Sequence, residues 1–332
     1  MNGFKDFQLD TQILSGVAAT GYVEPFPIQA RTISPLLKGF DVIGQARTGT
    51  GKTAAFGLPL LQNTNTQSHH VQAIVLAPTR ELAVQITTEM KRLARYTGIK
   101  ILTIYGGQSI NPQIAALKRG VHVIVGTPGR VIDHINRGTL HLDRVRFAVL
   151  DEADTMLDMG FIIDIEFILN AMPARRQLCL FSATMPQRII DLSRKYMNHP
   201  ERILIDSDEP SVDELKQYYT VVENDAKLES LLNLLARERP LSSMIFCRTK
   251  YGARKLAREL ERHHLNAVAL HGDLSQHQRD HSMNLFRSGR VDILVATDVA
   301  SRGIDIRQVD CVINYEVPQD PLLYFHRVGR TA

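Results

Sequence analysis

Short runs of apolar, often β-branched residues recur along this chain with amphipathic stretches between them, and this alternation constrains its fold more than any other feature. In the first half the runs are Asp41–Gly44, Ala73–Ala77, Ile101–Tyr105, His122–Gly126, Phe147–Asp151 and Gln177–Phe181. Several are apolar throughout instead of alternating, which suits strands of a parallel sheet covered on both faces. Between them, Arg80–Tyr96 places Leu82, Ile86, Met90 and Leu93 on one stripe, the pattern of a helix with a single buried side. Strands and helices in alternation predict an α/β, doubly wound architecture.

A second series follows. Its expected strands are Tyr218–Val222, Met244–Cys247, Ala267–Leu270, Asp292–Ala296 and Cys311–Asn314, and its expected helices are Ala226–Arg237, Lys250–Arg262 and Gln276–Phe286. Between the two series the acidic stretch Asp206–Glu214 has no apolar period. It predicts a linker over 207–214, joining a first domain at 1–206 to a second at 215–332. A chain of 332 residues agrees with two domains, at ~150 residues per domain. The polar segment Asn63–His70 reads as a surface loop.

Composition narrows the class. Apolar residues at 44% and charged residues at 22% are ordinary for a globular protein and argue against disorder, collagen or coiled coil. No apolar run approaches the ~18 residues of a membrane span. The opening MNGFKDFQLD lacks the basic and then apolar order of a secretory leader. Cys179, Cys247 and Cys311 are far apart, so a reducing cytoplasm is expected instead of a disulfide framework or a zinc site. A net charge of +4 is compatible with a polyanionic partner without demanding one.

Two segments carry chemistry on their own. Ala46–Thr53, ARTGTGKT, follows an expected strand and opens an expected helix, the context of a phosphate-binding loop. Ala46, Thr48, Gly49, Thr50 and Gly51 supply its backbone, and the glycines let N–H groups turn toward phosphates where a Cβ would obstruct them. Lys52 brings a charge to the β- and γ-phosphates, and Thr53 a hydroxyl for Mg²⁺. Asp151–Asp154, DEAD, follows the apolar run Phe147–Leu150. A carboxylate at the C-terminal end of a strand sits where ligands bind in open α/β sheets. Asp151 can hold Mg²⁺ through its water shell, and Glu152 can orient or deprotonate an attacking water.

With these two segments in place, the chain resembles the DEAD-box ATP-dependent RNA helicases of superfamily 2, over nearly its whole length and in the family's order. The resemblance implies two tandem RecA-like domains, each a mainly parallel sheet flanked by helices, with ATP and Mg²⁺ as ligands. In Gly21–Gln29, GYVEPFPIQ, it implies that Gln29 reads the adenine edge and that Phe4, seventeen residues before Gly21, stacks on the base. Phe26 stands where the family usually has a small hydroxyl residue.

Pro78, Thr79 and Arg80, the pair Gly106 and Gly107, and Thr127, Pro128, Gly129 and Arg130 resemble the family's RNA-contacting motifs in the first domain. Arg248 and Thr249, then Gly272, Gln276 and Arg279, then Thr297, resemble those of the second. Ser182 and Thr184, in SAT, resemble the motif that couples hydrolysis to strand separation, and His326 is placed with them. Asp305 is implied to hold the ATP ribose, and Arg327 and Arg330, in HRVGRT, to reach the γ-phosphate as catalytic arginines beside Lys52, Asp151 and Glu152.

The expected activity is therefore RNA-stimulated ATP hydrolysis in a cleft between the domains, coupled to local unwinding of an RNA duplex or remodelling of a ribonucleoprotein. The expected enzyme is a cytoplasmic monomer that holds RNA by its backbone with little sequence preference. An ATP-gated RNA clamp would share these binding residues, but Glu152, Arg327 and Arg330 favour hydrolysis. A DNA translocase is opposed by the glutamine segment and the DEAD tetrad. The family's last motif normally continues to a further arginine three residues beyond Arg330, whereas this sequence ends at Ala332. The second domain is thus expected to lack a closing strand and helix, and the chain to bind ATP but respond poorly to RNA.

Overall fold

The computed structural model describes residues 3–46, 49–205, 216–298, 309–319 and 321–328, with the side chains of 321, 322, 325 and 326 outside the description. The chain divides into two compact units, Met1–Ser207 and Asp208–Ala332. The expected linker at 207–214 lies outside the described residues.

In the first unit a short 3₁₀ turn, Phe4–Phe7, precedes helices α1 (Thr11–Thr20) and α2 (Pro27–Leu37). Strand β1 (Val42–Gln45) then leads to α3 (Lys52–Gln62), β2 (Ala73–Leu76) to α4 (Arg80–Leu93), and β3 (Ile101–Ile104) to α5 (Asn111–Lys118). After these come β4 (Val123–Gly126), α6 (Pro128–Asn136), β5 (Phe147–Leu150), α7 (Ala153–Asp158), α8 (Ile162–Asn170), β6 (Gln177–Ser182), α9 (Gln187–Tyr196) and β7 (Glu201–Leu204). The seven strands form one parallel sheet in the order β3-β4-β2-β5-β6-β1-β7.

Successive side chains on a strand point to opposite faces, and the buried residues divide accordingly. Val42, Ala73, Val75, Val123, Val125, Val149 and Phe181 pack with α1–α4. Ile43, Ile74, Leu76, Ile124, Leu150 and Leu180 pack with the helices that follow β4. This two-sided burial is why the central strands read as unbroken apolar runs. Strand β7, which sequence reasoning passed over, lies at the sheet edge with only Ile203 buried, so ERIL carries no continuous apolar signal.

The second unit contains α10 (Lys227–Glu238), β8 (Ser243–Phe246), α11 (Lys250–Arg262), β9 (Ala267–Leu270), α12 (Gln276–Arg287), β10 (Ile293–Ala296), β11 (Cys311–Asn314) and α13 (Pro321–Val328). Its strands pair in parallel in the order β11-β8-β10-β9. Helices α10 and α11 cover one face and α12 the other. The expected strand Tyr218–Val222 is a correction. The segment has no regular structure, and Tyr218, Tyr219 and Val221 are exposed. Its β-branched and aromatic residues favour extension, but a strand exists only where another backbone pairs with it.

The three cysteines are free. Among the described residues no helix is long and apolar enough to cross a membrane.

Candidate functional site

In a parallel sheet all strands end at the same edge, so strand order decides which loops meet. At the C-terminal edge of the first unit, β5, β6 and β1 are neighbours, and so are β3, β4 and β2. The first trio carries the phosphate loop, the DEAD tetrad and SAT. The second carries the three segments resembling RNA-contacting motifs.

In the first trio, Gly49 and Gly51 take φ of 84° and 83°, the left-handed region that glycine enters without a Cβ penalty. Gly51 caps α3, whose first residue is Lys52, so the helix N-terminus opens toward the loop as in anion-binding sites. Lys52 is buried; its Nζ donates to the Ala46 carbonyl at 3.2 Å and lies 3.9 Å from Asp151 Oδ1. Burial pushes the Asp151 carboxyl above its ordinary range, and the Lys52 charge opposes that shift. Glu152 has a φ of 51°, uncommon for a residue with a side chain. This sharp turn joins β5 to α7 and leaves Glu152 beside Asp151, whose Oδ1 accepts the Glu152 N–H at 3.0 Å. No cluster of three or more His, Cys, Asp or Glu capable of holding a metal occurs among the described residues. The hydroxyl of Thr53 with the Asp151 carboxylate instead suits a hard cation such as Mg²⁺ that keeps most of its water and takes phosphate oxygens.

Asp154, given no role by the sequence reasoning, ties these loops together. Its Oδ2 accepts the Ala183 N–H at 3.1 Å, the Thr184 N–H at 2.9 Å and the Thr184 hydroxyl at 2.9 Å. The Asp154 N–H donates to Ser182 Oγ at 3.3 Å, and that hydroxyl donates to the Thr184 carbonyl at 2.6 Å. Gln45, at the end of β1, donates to the Ala183 carbonyl at 3.1 Å. The available signal was Asp154's place as the last letter of the tetrad, but sequence cannot show which loop faces it.

Gln29 is fully buried, with Nε2 donating to the Gly51 carbonyl at 3.0 Å and Oε1 accepting the Phe26 N–H at 2.9 Å. A Cβ on Gly51 would fall on this amide and lie 2.9 Å from Phe26 Cδ2. The glutamine is therefore seated on the phosphate loop, with one N–H and one lone pair of its amide beyond those two bonds. Phe4 is placed differently: it is buried, stacked on Tyr22 at 6.0 Å between ring centroids, with Phe7 at 6.1 Å. The structure brings Gln29 to the phosphate loop and seats Phe4 among aromatic core residues.

Phe26 is the N-cap of α2 and has no side-chain acceptor. Half of a reciprocal capping box is present, because Gln29 Oε1 already accepts the Phe26 N–H. Phe26→Ser supplies the missing hydroxyl for the Gln29 N–H. It is expected to stabilise the first unit by about 1 kcal/mol, read as a higher urea midpoint. An unchanged or lower midpoint would show that the ring's packing outweighs the cap.

In the second trio, Gly107 has a φ of 83° and its missing side chain makes room for the Arg80 guanidinium. Arg130 reaches back to the same loop, donating to the Gln108 carbonyl at 3.1 Å and to Gln113 Oε1 at 3.4 Å. Gln113 in turn donates to the Tyr105 carbonyl at 3.0 Å and bonds His134 Nε2 at 2.9 Å. Burial pushes the His134 imidazole below its ordinary value, with the Arg130 charge adding to the shift. Thr79 is spent on the helix, accepting the Leu82 N–H at 3.3 Å as the N-cap of α4. Pro128 begins α6, Thr127 caps it without a side-chain bond, and Gly129 is exposed. The Gly106–Gln108 loop is thus bracketed by Arg80, at the start of α4, and Arg130, in the first turn of α6. Gln108, Gln113 and His134, absent from the sequence reading, position it.

In the second unit, Arg248, Gly272 and Thr297 leave the C-terminal ends of β8, β9 and β10. Arg248 is exposed and its N–H donates to Glu316 Oε2 at 2.5 Å. Thr249 caps α11 by accepting the Gly252 N–H at 3.0 Å. Gln276 donates to Asp280 at 2.8 Å on α12, where Arg279 also lies. Thr297 is buried, its N–H on the Leu270 carbonyl at 3.2 Å.

Arg327 is a correction. It is 2% exposed and its fork grips Asp298 at 2.6 and 2.8 Å. It also donates to Asn314 Oδ1 at 2.7 Å and the Glu316 carbonyl at 2.8 Å, and stands 4.9 Å over the Phe246 ring. Four of its five N–H donors are used inside the unit, so it does not offer an open fork to a γ-phosphate. Thr48, Asp305 and Arg330 lie outside the described residues, as does the side chain of His326.

Residues 26–192 match the family model for the DEAD/DEAH box helicase, and residues 226–332 that for the helicase conserved C-terminal domain. The DEAD-box ATP-dependent RNA helicase CshA of Geobacillus kaustophilus is 49% identical over all 332 residues, which span 71% of that relative. Its Bacillus subtilis counterpart is 47% identical over 329 residues, covering 99% of this chain and 67% of the relative. Among solved structures, Saccharomyces cerevisiae Dbp5 bound to RNA and ADP BeF3 aligns with a TM-score of 0.90 at 36% identity, covering 100% of this chain and 86% of that one. A DEAD box protein from the hyperthermophile Methanococcus jannaschii aligns with a TM-score of 0.60 at 43% identity, covering 99% and 89%.

Proposed function

Since this chain belongs to the DEAD/DEAH box helicase family and is an RNA helicase and ATP hydrolase, we propose that it binds ATP–Mg²⁺ and RNA between its two domains and uses hydrolysis to separate short duplexes or remodel ribonucleoproteins. The observation that carries this reading is the division of one sheet edge into a phosphate-loop half and an RNA-motif half, adjoining at β2 and β5. Lys52 faces the phosphates, and Gln29 reads the base from its seat on Gly51. Thr53 and Asp151 hold Mg²⁺, which when bound supplies positive charge to the phosphate oxygens. Glu152 orients the attacking water and takes its proton, and Arg330 supplies transition-state charge from the second domain. Arg80, the Gly106–Gln108 loop and Arg130 hold one stretch of RNA backbone, and Arg248, Thr249 and Thr297 another. The 2′-hydroxyl distinguishes RNA from DNA. The enzyme acts in the cytoplasm as a monomer.

The test compares ATP turnover with single-stranded RNA and with DNA of the same sequence. Whatever stimulation occurs is expected with RNA and not with DNA, the kind of discrimination a site built on a hydroxyl contact achieves. Equal stimulation would defeat the reading.

A further inference from the structure

We propose that Arg327 is a positioning residue for RNA binding by the second unit. The proposal rests on the reading above, in which Arg248 and Thr297 touch RNA. Arg327 is donated by α13, yet every partner it has lies at a strand end. Asp298 directly follows Thr297 at the end of β10, Asn314 closes β11, Glu316 lies just beyond it, and Phe246 closes β8. Glu316 passes the constraint on. Its backbone carbonyl is held by Arg327 and its carboxylate accepts the Arg248 N–H. Both RNA-contacting segments are therefore bonded, by a peptide bond or a hydrogen bond, to a residue that Arg327 grips.

A planar guanidinium can satisfy Asp298, Asn314 and Glu316 at once because its donors point in fixed, divergent directions. A lysine ammonium is a single centre and cannot span all three. Arg327→Lys keeps the charge and loses the spacing, so the three strand ends are no longer referred to one another. RNA affinity should fall while ATP affinity, whose phosphate and base contacts are assigned to Lys52 and Gln29 of the first unit, should change little.

The experiment measures binding of a fluorescent single-stranded RNA and, separately, of a fluorescent ATP analogue to the full chain. Arg327→Lys is expected to weaken RNA binding by about tenfold or more, with nucleotide affinity within about twofold of wild type. Unchanged RNA affinity with loss confined to turnover at saturating RNA and ATP would overturn the proposal, since that is the signature of a γ-phosphate contact. Urea unfolding establishes that the variant is folded. Should it not fold, Glu316→Gln leaves the Arg327 contacts in place and weakens only the acceptor of the Arg248 N–H. It too should weaken RNA binding, and no change would count against the relay. Arg248→Ala separates the two ideas. If it leaves RNA affinity intact, the RNA assignment of this edge fails and the proposal with it. If it weakens binding while Arg327→Lys and Glu316→Gln do not, the positioning role alone is wrong.

Discussion

Glu152→Gln is expected to leave ATP binding intact and to lower RNA-stimulated turnover by about 10²–10⁴, the range of a lost general base. Glutamine keeps the size of the side chain and removes its charge and basicity. The position tolerates such a change because the backbone, not the side chain, makes the turn at φ 51°. An amide can still orient a water by hydrogen bonding but cannot accept its proton. Lys52→Ala is the contrasting variant. It removes a buried ammonium held 3.2 Å from the Ala46 carbonyl and 3.9 Å from Asp151. The phosphates lose their point charge and Asp151 is left buried with its principal counter-charge gone, so nucleotide affinity itself should collapse. Equilibrium binding of a fluorescent nucleotide, beside steady-state hydrolysis, separates the two. Equal loss of binding in both variants would mean that Glu152 supports the nucleotide and not the water.

The second large effect is expected at Asp154. Its Oδ2 receives three donors from SAT, so Asp154→Ala strands the Ala183 N–H, the Thr184 N–H and the Thr184 hydroxyl together. Each unmade buried bond costs about 1–3 kcal/mol, and partial access of water to Thr184 reduces the sum. A loss of about 2–4 kcal/mol from the first unit is expected in urea unfolding. The functional consequence is larger. Asp154 is the point at which the segment carrying Asp151 and Glu152 meets the segment assigned to coupling. Without it, basal hydrolysis should persist while the ratio of RNA-stimulated to basal hydrolysis falls toward one. A variant that keeps both its stability and that ratio would show that the contact is incidental.

Much of the architecture was legible because parallel strands buried on both faces leave an unmistakable apolar trace. Lys250–Arg262, Ala267–Leu270 and Cys311–Asn314 coincide residue for residue with their elements, and most other boundaries moved by one residue at an end. The failures fall where that trace is missing or misleading. Strand β7 buries one residue in four. Tyr218–Val222 has the composition of a strand and no regular structure.

The amino-acid order by itself determined which residues stand at the strand ends. Apolar period sets where a strand stops, and ARTGTGKT and DEAD follow such stops directly, while SAT begins on the last residue of β6. It also determined the chemistry each segment offers, since a glycine-rich turn, a lysine opening a helix and a pair of carboxylates have few other uses together. Tertiary structure alone decided which ends are neighbours. The order β3-β4-β2-β5-β6-β1-β7 is a property of how helices cross over the sheet, and no local pattern encodes it. Asp154 became the anchor of SAT because β5 and β6 pair, and Gln29 reached Gly51 because α2 packs against α3. Arg327 turned inward because Asp298, Asn314 and Glu316 converge on it from strand ends distant in sequence. A guanidinium in a motif is only a donor, and what it donates to is settled by the carboxylates and carbonyls that the fold brings within 3 Å of it.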